Sequence, residues 1–205
     1  RDVERSRGLG DVYKRQFQYL FGMPQRMFAL IPFGKYNDFA VDDEDTIIMD
    51  YDNGMTASFV LTTGEACHEE RLEIIGTEAK LLLEDNTLTI TRHQDVEEYI
   101  KTEMVNSREN MQYVKETIEF PKAPEPYTEL LKRFARASLE HDDTYLVSKG
   151  EEGINSLMLC AGAYYSACNG IQVKLPVDAE DYSRLMEELI MKEKLSLIHI
   201  SEPTR

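Results

Sequence analysis

The sequence predicts an α+β fold, in which an open, mostly antiparallel sheet carries helices on one face and leaves the other face free for oligomerisation. Short runs rich in β-branched and aromatic residues fill the first half of the chain, separated by tight-turn signals such as Asp52-Asn53-Gly54. Such short links join antiparallel neighbours, because parallel strands need crossovers of about a dozen residues or more. Apolar residues at helical spacing follow in the second half.

The elements follow from local signals taken in chain order. Residues 17–22 are predicted to end a helix, because Gly22 stops it and Pro24 prevents its continuation. Residues 94–116 are polar and are predicted to form an excursion or a weak helix. The predicted strands are Arg26–Pro32, Thr46–Tyr51, Met55–Thr62, Arg71–Ile75, Lys80–Glu84, Thr87–Thr91, Thr117–Phe120 and Ile171–Leu175, and the later helices are Glu125–His141, Glu151–Cys168 and Asp181–Lys192.

Alternation along one predicted strand separates the two faces of the sheet. Ala57, Phe59 and Leu61 point to one side, while Ser58, Val60 and Thr62 point to the other. Neither set is strongly polar. The second face is therefore expected to be a subunit or domain interface.

The two ends of the chain are predicted to be non-native. The peptides SRGLGDVYKRQ at 6–16 and LSLIHISEPTR at 195–205 have reverse-complementary codons. For example, GAT GTG TAT AAG AGA CAG for DVYKRQ becomes CTG TCT CTT ATA CAC ATC, which encodes LSLIHI. The shared element resembles the transposon-end adapter of a sequencing library, which a basic targeting arm would not explain. We therefore expect 1–16 and 195–205 to be adapter-derived and 17–194 to be one native α+β domain for substrate binding and oligomerisation.

Composition argues against several classes of partner. The chain has 23 Lys+Arg, 38 Asp+Glu and a net charge of −15. Leaving out six basic and four acidic residues at the ends gives 17 against 34, a net charge of −17. Such an acidic surface repels phosphate backbones and anionic lipids, so neither nucleic acid nor membrane is an expected partner. Three cysteines without paired spacing fit a reducing compartment, so a cytoplasmic protein is expected.

Two polar segments contain the candidate substrate-binding residues. The segment 35–38 (KYND) is a polar loop between strands, rimmed by the acidic run 42–45. It is equally explained as a hydrogen-bonding surface for a polyhydroxylated substrate and as a simple hairpin crossing. Glu65, at a strand end, either accepts hydrogen bonds from sugar hydroxyls or caps a turn. The candidates are Lys35, Tyr36, Asn37, Glu65 and His68.

Other chemical motifs are weak or missing from the sequence. The cluster Cys67-His68-Glu69-Glu70 offers several metal ligands, but adjacent residues on an extended chain point apart, so a solvated loop is the preferred interpretation and no metal is predicted. The sequence contains no GxGxxG, Walker, GxSxG or HExxH motif. We therefore assign no catalytic and no cofactor-binding residue.

Four segments in order resemble the C-terminal half of the Gfo/Idh/MocA oxidoreductases. They are FQYLFGMPQRM at 17–27, DTIIMDYDNGMTASFVLTTGE at 45–65, RLEIIGTEAKLLLED at 71–85 and EEGINSLMLCAGAYYSACNGIQVKLPVD at 151–178. The resemblance covers essentially all of 17–194. It implies that a Rossmann domain, a Glu-Lys-Pro lysine and a histidine with a nearby aspartate precede this half in the parent protein. None of these can be assigned to a residue of this sequence.

The resemblance also implies that the two halves of the parent protein have different functions. The full-length parent is expected to use NAD or NADP in a dehydrogenase reaction on a sugar, inositol or related polyol. This chain is expected to bind no cofactor and to be inactive alone. Its expected partners are the missing N-terminal Rossmann domain, a small polyhydroxylated substrate, and a second copy through the open sheet face.

Two other interpretations remain open. The chain could be a non-catalytic α+β interaction or regulatory domain of the same fold. Upstream DNA encoding a glycine loop, a Glu-Lys-Pro and a histidine would favour the oxidoreductase, and their absence would favour the regulator. A carbohydrate-binding domain is less favoured, because the chain has no Trp and no recognisable stacking platform.

Overall fold

A computed structural model describes residues 16–36, 42–66, 70–102, 112–121 and 126–201. The chain divides into two compact units, the first formed by Arg1–Glu65 and Leu146–Arg205 and the second by Ala66–Tyr145. Each unit contains one four-stranded sheet, and every described strand pair is antiparallel. The α+β class is confirmed.

The first unit's sheet contains β1 (Arg26–Leu30), β2 (Glu44–Asp50), β3 (Thr56–Thr62) and β8 (Val173–Lys174) in the order β3-β2-β1-β8. The central pair β1 and β2 is in register with Phe28 opposite Ile48, and β2 and β3 are in register with Ile47 opposite Phe59. The connection between β2 and β3 is the predicted Asn-Gly turn, with Gly54 at a φ of +82°.

In the second unit the strand order is β4-β5-β6-β7. The hairpin between β5 and β6 turns at Asp85, whose φ is +50°. The described strands therefore form two four-stranded sheets, one in each unit, rather than the one open sheet that the sequence predicts. The strands are β4 Arg71–Ile75, β5 Ala79–Glu84, β6 Thr87–His93 and β7 Tyr113–Glu119.

The helices largely follow their predicted ends. Residues 16–21 form α1, which stops at Gly22 as predicted. The Gly22 N–H donates to the Gln18 carbonyl at 2.8 Å, and the left-handed Gly170 ends α4 in the same way. Among the described residues, no helix is long and apolar enough to cross a membrane. The other helices are α2 Val96–Thr102, α3 Pro126–Glu140, α4 Gly153–Asn169 and α5 Ala179–Ser201.

Two predicted segments differ from the structure. The polar stretch 94–116 contains a short helix, α2, as one of the two predictions had it, but it also contains the start of β7, which pairs with β6 as far back as Tyr113 opposite His93. The pairing with a neighbouring strand outweighs the local polar composition. The last helix continues to Ser201 instead of ending at Lys192, since the sequence has no helix breaker before Pro203.

The core of the first unit lies between its sheet and α4. Met27, Ala29, Ile47 and Met49 alternate along β1 and β2 on the buried face, and Ala163 of α4 is completely buried among them. Gly162 lets the helix approach closely, because a Cβ there would lie 2.6 Å from the Met27 sulfur. The sequence pattern therefore fixes which sheet face the helix covers.

Ser166 of α4 joins the helix to the sheet by hydrogen bonds. Arg26 pairs with Lys174 in a register that would place Ala29 opposite Ile171, beyond the end of β8. The fully buried Ser166 hydroxyl fills this gap: it accepts from the Ala29 N–H at 2.9 Å and donates to the Ile171 carbonyl at 2.6 Å. One side chain thus satisfies two backbone groups that the short strand leaves unpaired.

The opposite face of this sheet exposes several apolar side chains in the part of the chain that the structure describes. Leu30, Ile48 and Val60 are 58%, 54% and 65% exposed, respectively. Alternation puts Ser58 and Val60 on this face, as predicted, while Phe59 is buried against the core. Arg26 donates through Nε to the Asp50 carboxylate at 2.9 Å at one margin of the face.

The substitution Ser166→Ala tests the link between helix and sheet. It removes the hydroxyl partner of the buried Ala29 N–H and of the Ile171 carbonyl, so we expect a loss of about 1–3 kcal/mol in the free energy of unfolding. Urea denaturation measures this loss, and hydrogen exchange should show weaker protection of the Ala29 amide. The control Ser183→Ala removes an exposed hydroxyl and is expected to change stability by less than about 0.5 kcal/mol. Equal effects of the two substitutions would refute this role.

Candidate functional site

The candidate site lies where three chain segments meet at one end of the first unit's sheet. The register places Glu44, the first residue of β2, opposite Thr62, the last residue of β3. An isolated bridge between Phe33 and Asp42 brings the chain leaving β1 to the same end. We call this group of residues the strand-end site, which comprises Lys35, Tyr36, Asp42, Asp43, Glu44, Thr63, Gly64 and Glu65.

Lys35 and Tyr36 converge on a single carboxylate oxygen. The Lys35 ammonium donates to Oε2 of Glu44 at 2.7 Å, and the Tyr36 hydroxyl donates to the same oxygen at 3.3 Å. The Lys35 nitrogen also lies 5.0 Å from the centre of the Tyr36 ring. The site therefore presents an ammonium, a phenol and a carboxylate within hydrogen-bonding distance of one another.

Asp43 fixes the backbone behind this group. Its side chain is buried, and Oδ2 accepts from the Tyr36 N–H at 2.8 Å. Its backbone carbonyl accepts from the Thr63 N–H at 2.9 Å and from the Thr63 hydroxyl at 3.2 Å. Asp43 thus connects the loop after β1 to the end of β3.

The Tyr36 ring lies against the backbone of Gly64. A Cβ at this glycine would lie 2.5 Å from a ring carbon of Tyr36, closer than any side chain could be accommodated without moving the ring. Thr62 supports the glycine from the other side, since its hydroxyl accepts from the Gly64 N–H at 3.1 Å. The absence of a side chain at this position therefore sets where the phenol can lie.

Tyr164 of α4 contacts two residues at this end of the sheet, Asp42 and Phe33. Its hydroxyl donates to Oδ1 of Asp42 at 2.6 Å, and its ring lies 5.8 Å from that of Phe33. Burial, followed by the hydrogen bond to Asp42, raises the pKa of the Tyr164 phenol. This phenol therefore stays protonated at neutral pH and acts as a hydrogen-bond donor.

The pKa values of Lys35, Glu44 and Tyr164 are each shifted further away from neutral pH. The hydrogen bond to Glu44 raises the pKa of Lys35, and the hydrogen bond from Lys35 lowers the pKa of Glu44. A general acid or base works best with a pKa near the working pH. Lys35, Glu44 and Tyr164 are therefore suited to binding and orientation rather than to proton transfer.

The structure describes three of the five candidates from the sequence. Lys35 and Tyr36 lie together, and the exposed Glu65 directly follows the glycine under the Tyr36 ring. Asn37 and His68 lie outside the described residues. Among the described residues, no group of three potential ligands could hold a metal ion.

Sequence reasoning missed the individual roles of the acidic run and of Tyr164. Asp43 and Asp45 are buried at the same alternation as Ile47 and Met49, a parity that is visible in the sequence. That parity could have predicted that these two carboxylates point inward. No such signal exists for Tyr164, whose helical spacing resembles that of its apolar neighbours.

Comparison with known protein families gives one decisive match. A model described as the oxidoreductase family, C-terminal alpha/beta domain, matches residues 15–175. The chain belongs to the Gfo/Idh/MocA oxidoreductase family. A comparison with curated proteins finds no match.

Solved structures resemble this Gfo/Idh/MocA domain in fold. An NAD-binding protein from Listeria innocua has a TM-score of 0.58 and 19% identity, covering 80% of this chain and 45% of its own. The WlbA dehydrogenase from Bordetella pertussis, in complex with NADH and UDP-GlcNAcA, has a TM-score of 0.54 and 18% identity, with 82% and 44% covered. An oxidoreductase from Agrobacterium radiobacter, in complex with NAD+, L-tartaric acid and magnesium, has a TM-score of 0.55 and 17% identity, with 81% and 47% covered. The domain spans about half the length of these structures.

The substitution Lys35→Met tests the ion pair of this Gfo/Idh/MocA domain. Because Lys35 lowers the pKa of Glu44, removing the ammonium should raise that pKa towards the ordinary glutamate value of about 4.3. In the unsubstituted chain, Lys35 and Glu44 are both charged at every pH between the lowered pKa of Glu44 and the raised pKa of Lys35. Carbon-detected NMR titration of the Glu44 carboxyl measures the change, and Lys149→Met is the control. An unchanged Glu44 pKa in Lys35→Met would show that the contact does not form in solution.

Proposed function

We propose that this chain is the substrate-binding and assembly half of an NAD(P)-dependent oxidoreductase that acts on a sugar, inositol or related polyol. The strand-end site is the observation that carries the proposal. Within a few ångströms it offers the donors Lys35 and Tyr36 and the acceptor Glu44, with Glu65 next to the supporting glycine. A hydroxyl both donates and accepts, so a polyol can use both kinds of group.

Membership of an oxidoreductase family supports the type of reaction. The related structures from Bordetella and Agrobacterium contain NADH and NAD+ respectively, which supports a nicotinamide cofactor in the parent protein. Such a cofactor accepts or donates a hydride. This chain's contribution is to hold the substrate hydroxyls in a fixed orientation, which lowers the entropic barrier to their reaction.

The described residues do not themselves fit a dinucleotide. A Rossmann-type site needs parallel strands and a glycine-rich turn that leads into a helix. Every described strand pair here is antiparallel, and the sequence has no GxGxxG. We therefore assign no step of the hydride transfer to a residue of this chain and propose that it is inactive alone.

The open face of the first unit's sheet also fits a second candidate function, a non-catalytic interaction or regulatory domain. Leu30, Ile48 and Val60 form an exposed apolar surface of the kind that binds another protein. This surface serves either an oxidoreductase that assembles from several copies or a regulator of the same fold. The upstream reading frame distinguishes them, since only the oxidoreductase needs a glycine loop and a catalytic lysine there.

Ligand titrations of the 205-residue chain test the polyol site. We expect myo-inositol or D-glucose to shift the amide signals of Lys35 and Tyr36, with a Kd on the order of 1 mM for a small ligand held by a few hydrogen bonds. NADH should give no binding heat at micromolar concentration and no turnover should be detectable. Micromolar dinucleotide binding would contradict the proposal that a separate Rossmann domain of the parent protein binds the cofactor. The absence of any polyol-induced shift at Lys35 and Tyr36 would contradict the site.

Sedimentation tests assembly through the open face. We expect the chain to self-associate at high concentration and the double substitution Ile48→Lys with Val60→Lys to weaken the association at least tenfold, because two charges would have to be buried. Ile75→Lys, at an exposed position of β4 in the second unit, is the control and should leave the association unchanged. A chain that stays monomeric throughout would rule this surface out as a homo-oligomer interface.

A further inference from the structure

We infer that the strand-end site selects uncharged polyols and discriminates against ligands whose carboxylate or phosphate would have to bind at Lys35 and Tyr36. This inference rests on the proposed function and narrows its substrate class. It concerns the charge of the ligand, which membership of the family leaves open.

The first argument is that the cation of this group is already paired. The Lys35 ammonium lies 2.7 Å from Oε2 of Glu44, and the Tyr36 hydroxyl is directed to that same oxygen. A ligand anion that reached these donors would have to displace the carboxylate or lie beside it. The ligand anion and the Glu44 carboxylate would then lie side by side, and two like charges so close together repel strongly near a protein surface.

The second argument is that Glu44 is held in the ionised state. Its pKa is lowered by the hydrogen bond from Lys35, so it does not take up a proton at neutral pH to make room for another anion. A ligand hydroxyl meets no such conflict. It donates to the carboxylate and accepts from the ammonium without changing the charge of the pair.

The third argument is the charge of the surrounding segment. Residues 42–45 (DDED), which the Phe33–Asp42 bridge and the register of β2 with β3 bring to this end of the sheet, are all acidic. Of these, Asp42 accepts from Tyr164, and Asp43 accepts from the Tyr36 N–H. The segment therefore adds negative potential around the paired lysine and offers it no second cation.

Two matched pairs of probes test this selection on the 205-residue chain. The pairs are myo-inositol with myo-inositol 1-phosphate, and D-glucose with D-glucuronate. NMR titrations should give the neutral member of a pair a Kd at least tenfold lower, with the shifts centred on Lys35 and Tyr36. Equal or tighter binding of the anionic member at these residues would overturn the inference and leave the proposed polyol site intact. If no probe shifts these signals, both the proposed site and the inference fail.

The substitution Glu44→Gln identifies the cause of the selection. It keeps the side-chain size and one oxygen acceptor but frees the Lys35 charge, so the anionic probes should bind at least fivefold more tightly. The neutral probes should bind more weakly, because an amide oxygen is a weaker acceptor than a carboxylate, so the preference for the neutral member of each pair should fall. Glu188→Gln removes the same charge from the exposed surface of α5 and should leave the ratio between the probes unchanged. If Glu44→Gln folds normally and the ratio stays the same, the ion pair does not set the selection and the inference is wrong.

Discussion

The register of β2 between β1 and β3 is the constraint on which the rest of the first unit depends. Asp43, Asp45, Ile47 and Met49 all point to the covered side of the sheet, and Glu44 begins the opposite parity. A slip of one residue would bring Ile47 and Met49 to the open face. It would also separate Glu44 from the end of β3. The hydrophobic core thus holds in place a polar group that lies at its edge.

This arrangement gives each surface of the sheet a different role. One face packs against α4, which Ser166 joins to the backbone beyond the end of β8. The opposite face remains apolar and exposed at Ile48 and Val60. The strand ends carry Lys35, Tyr36 and Glu44, whose ammonium, phenol and carboxylate groups offer both donors and acceptors to a hydroxyl. We propose that, in an enzyme that places hydride transfer in another domain, such a sheet orients the substrate and provides an assembly surface.

The sequence predicted the features that depend on local signals. The Asn-Gly turn, the helix end at Gly22 and the placement of Phe59 and Val60 on opposite faces of β3 follow from residue type and alternation, and all three are present. It missed features that depend on distant pairing, such as the start of β7 at Tyr113 and the division into two sheets. Lys35 and Tyr36 were identifiable as polar loop residues. Their convergence on Glu44 follows from a strand register and a glycine under an aromatic ring, which no local pattern specifies.

The contact between the Tyr36 ring and Gly64 tests this account most directly, because it forms only if both the register and the loop after β1 are as described. In an NMR spectrum of the chain, nuclear Overhauser effects are expected between the Tyr36 ring protons and the Gly64 α-protons, together with the cross-strand effects of β2 and β3. If those cross-strand effects are observed without the Tyr36–Gly64 contact, the sheet forms but does not assemble the strand-end site.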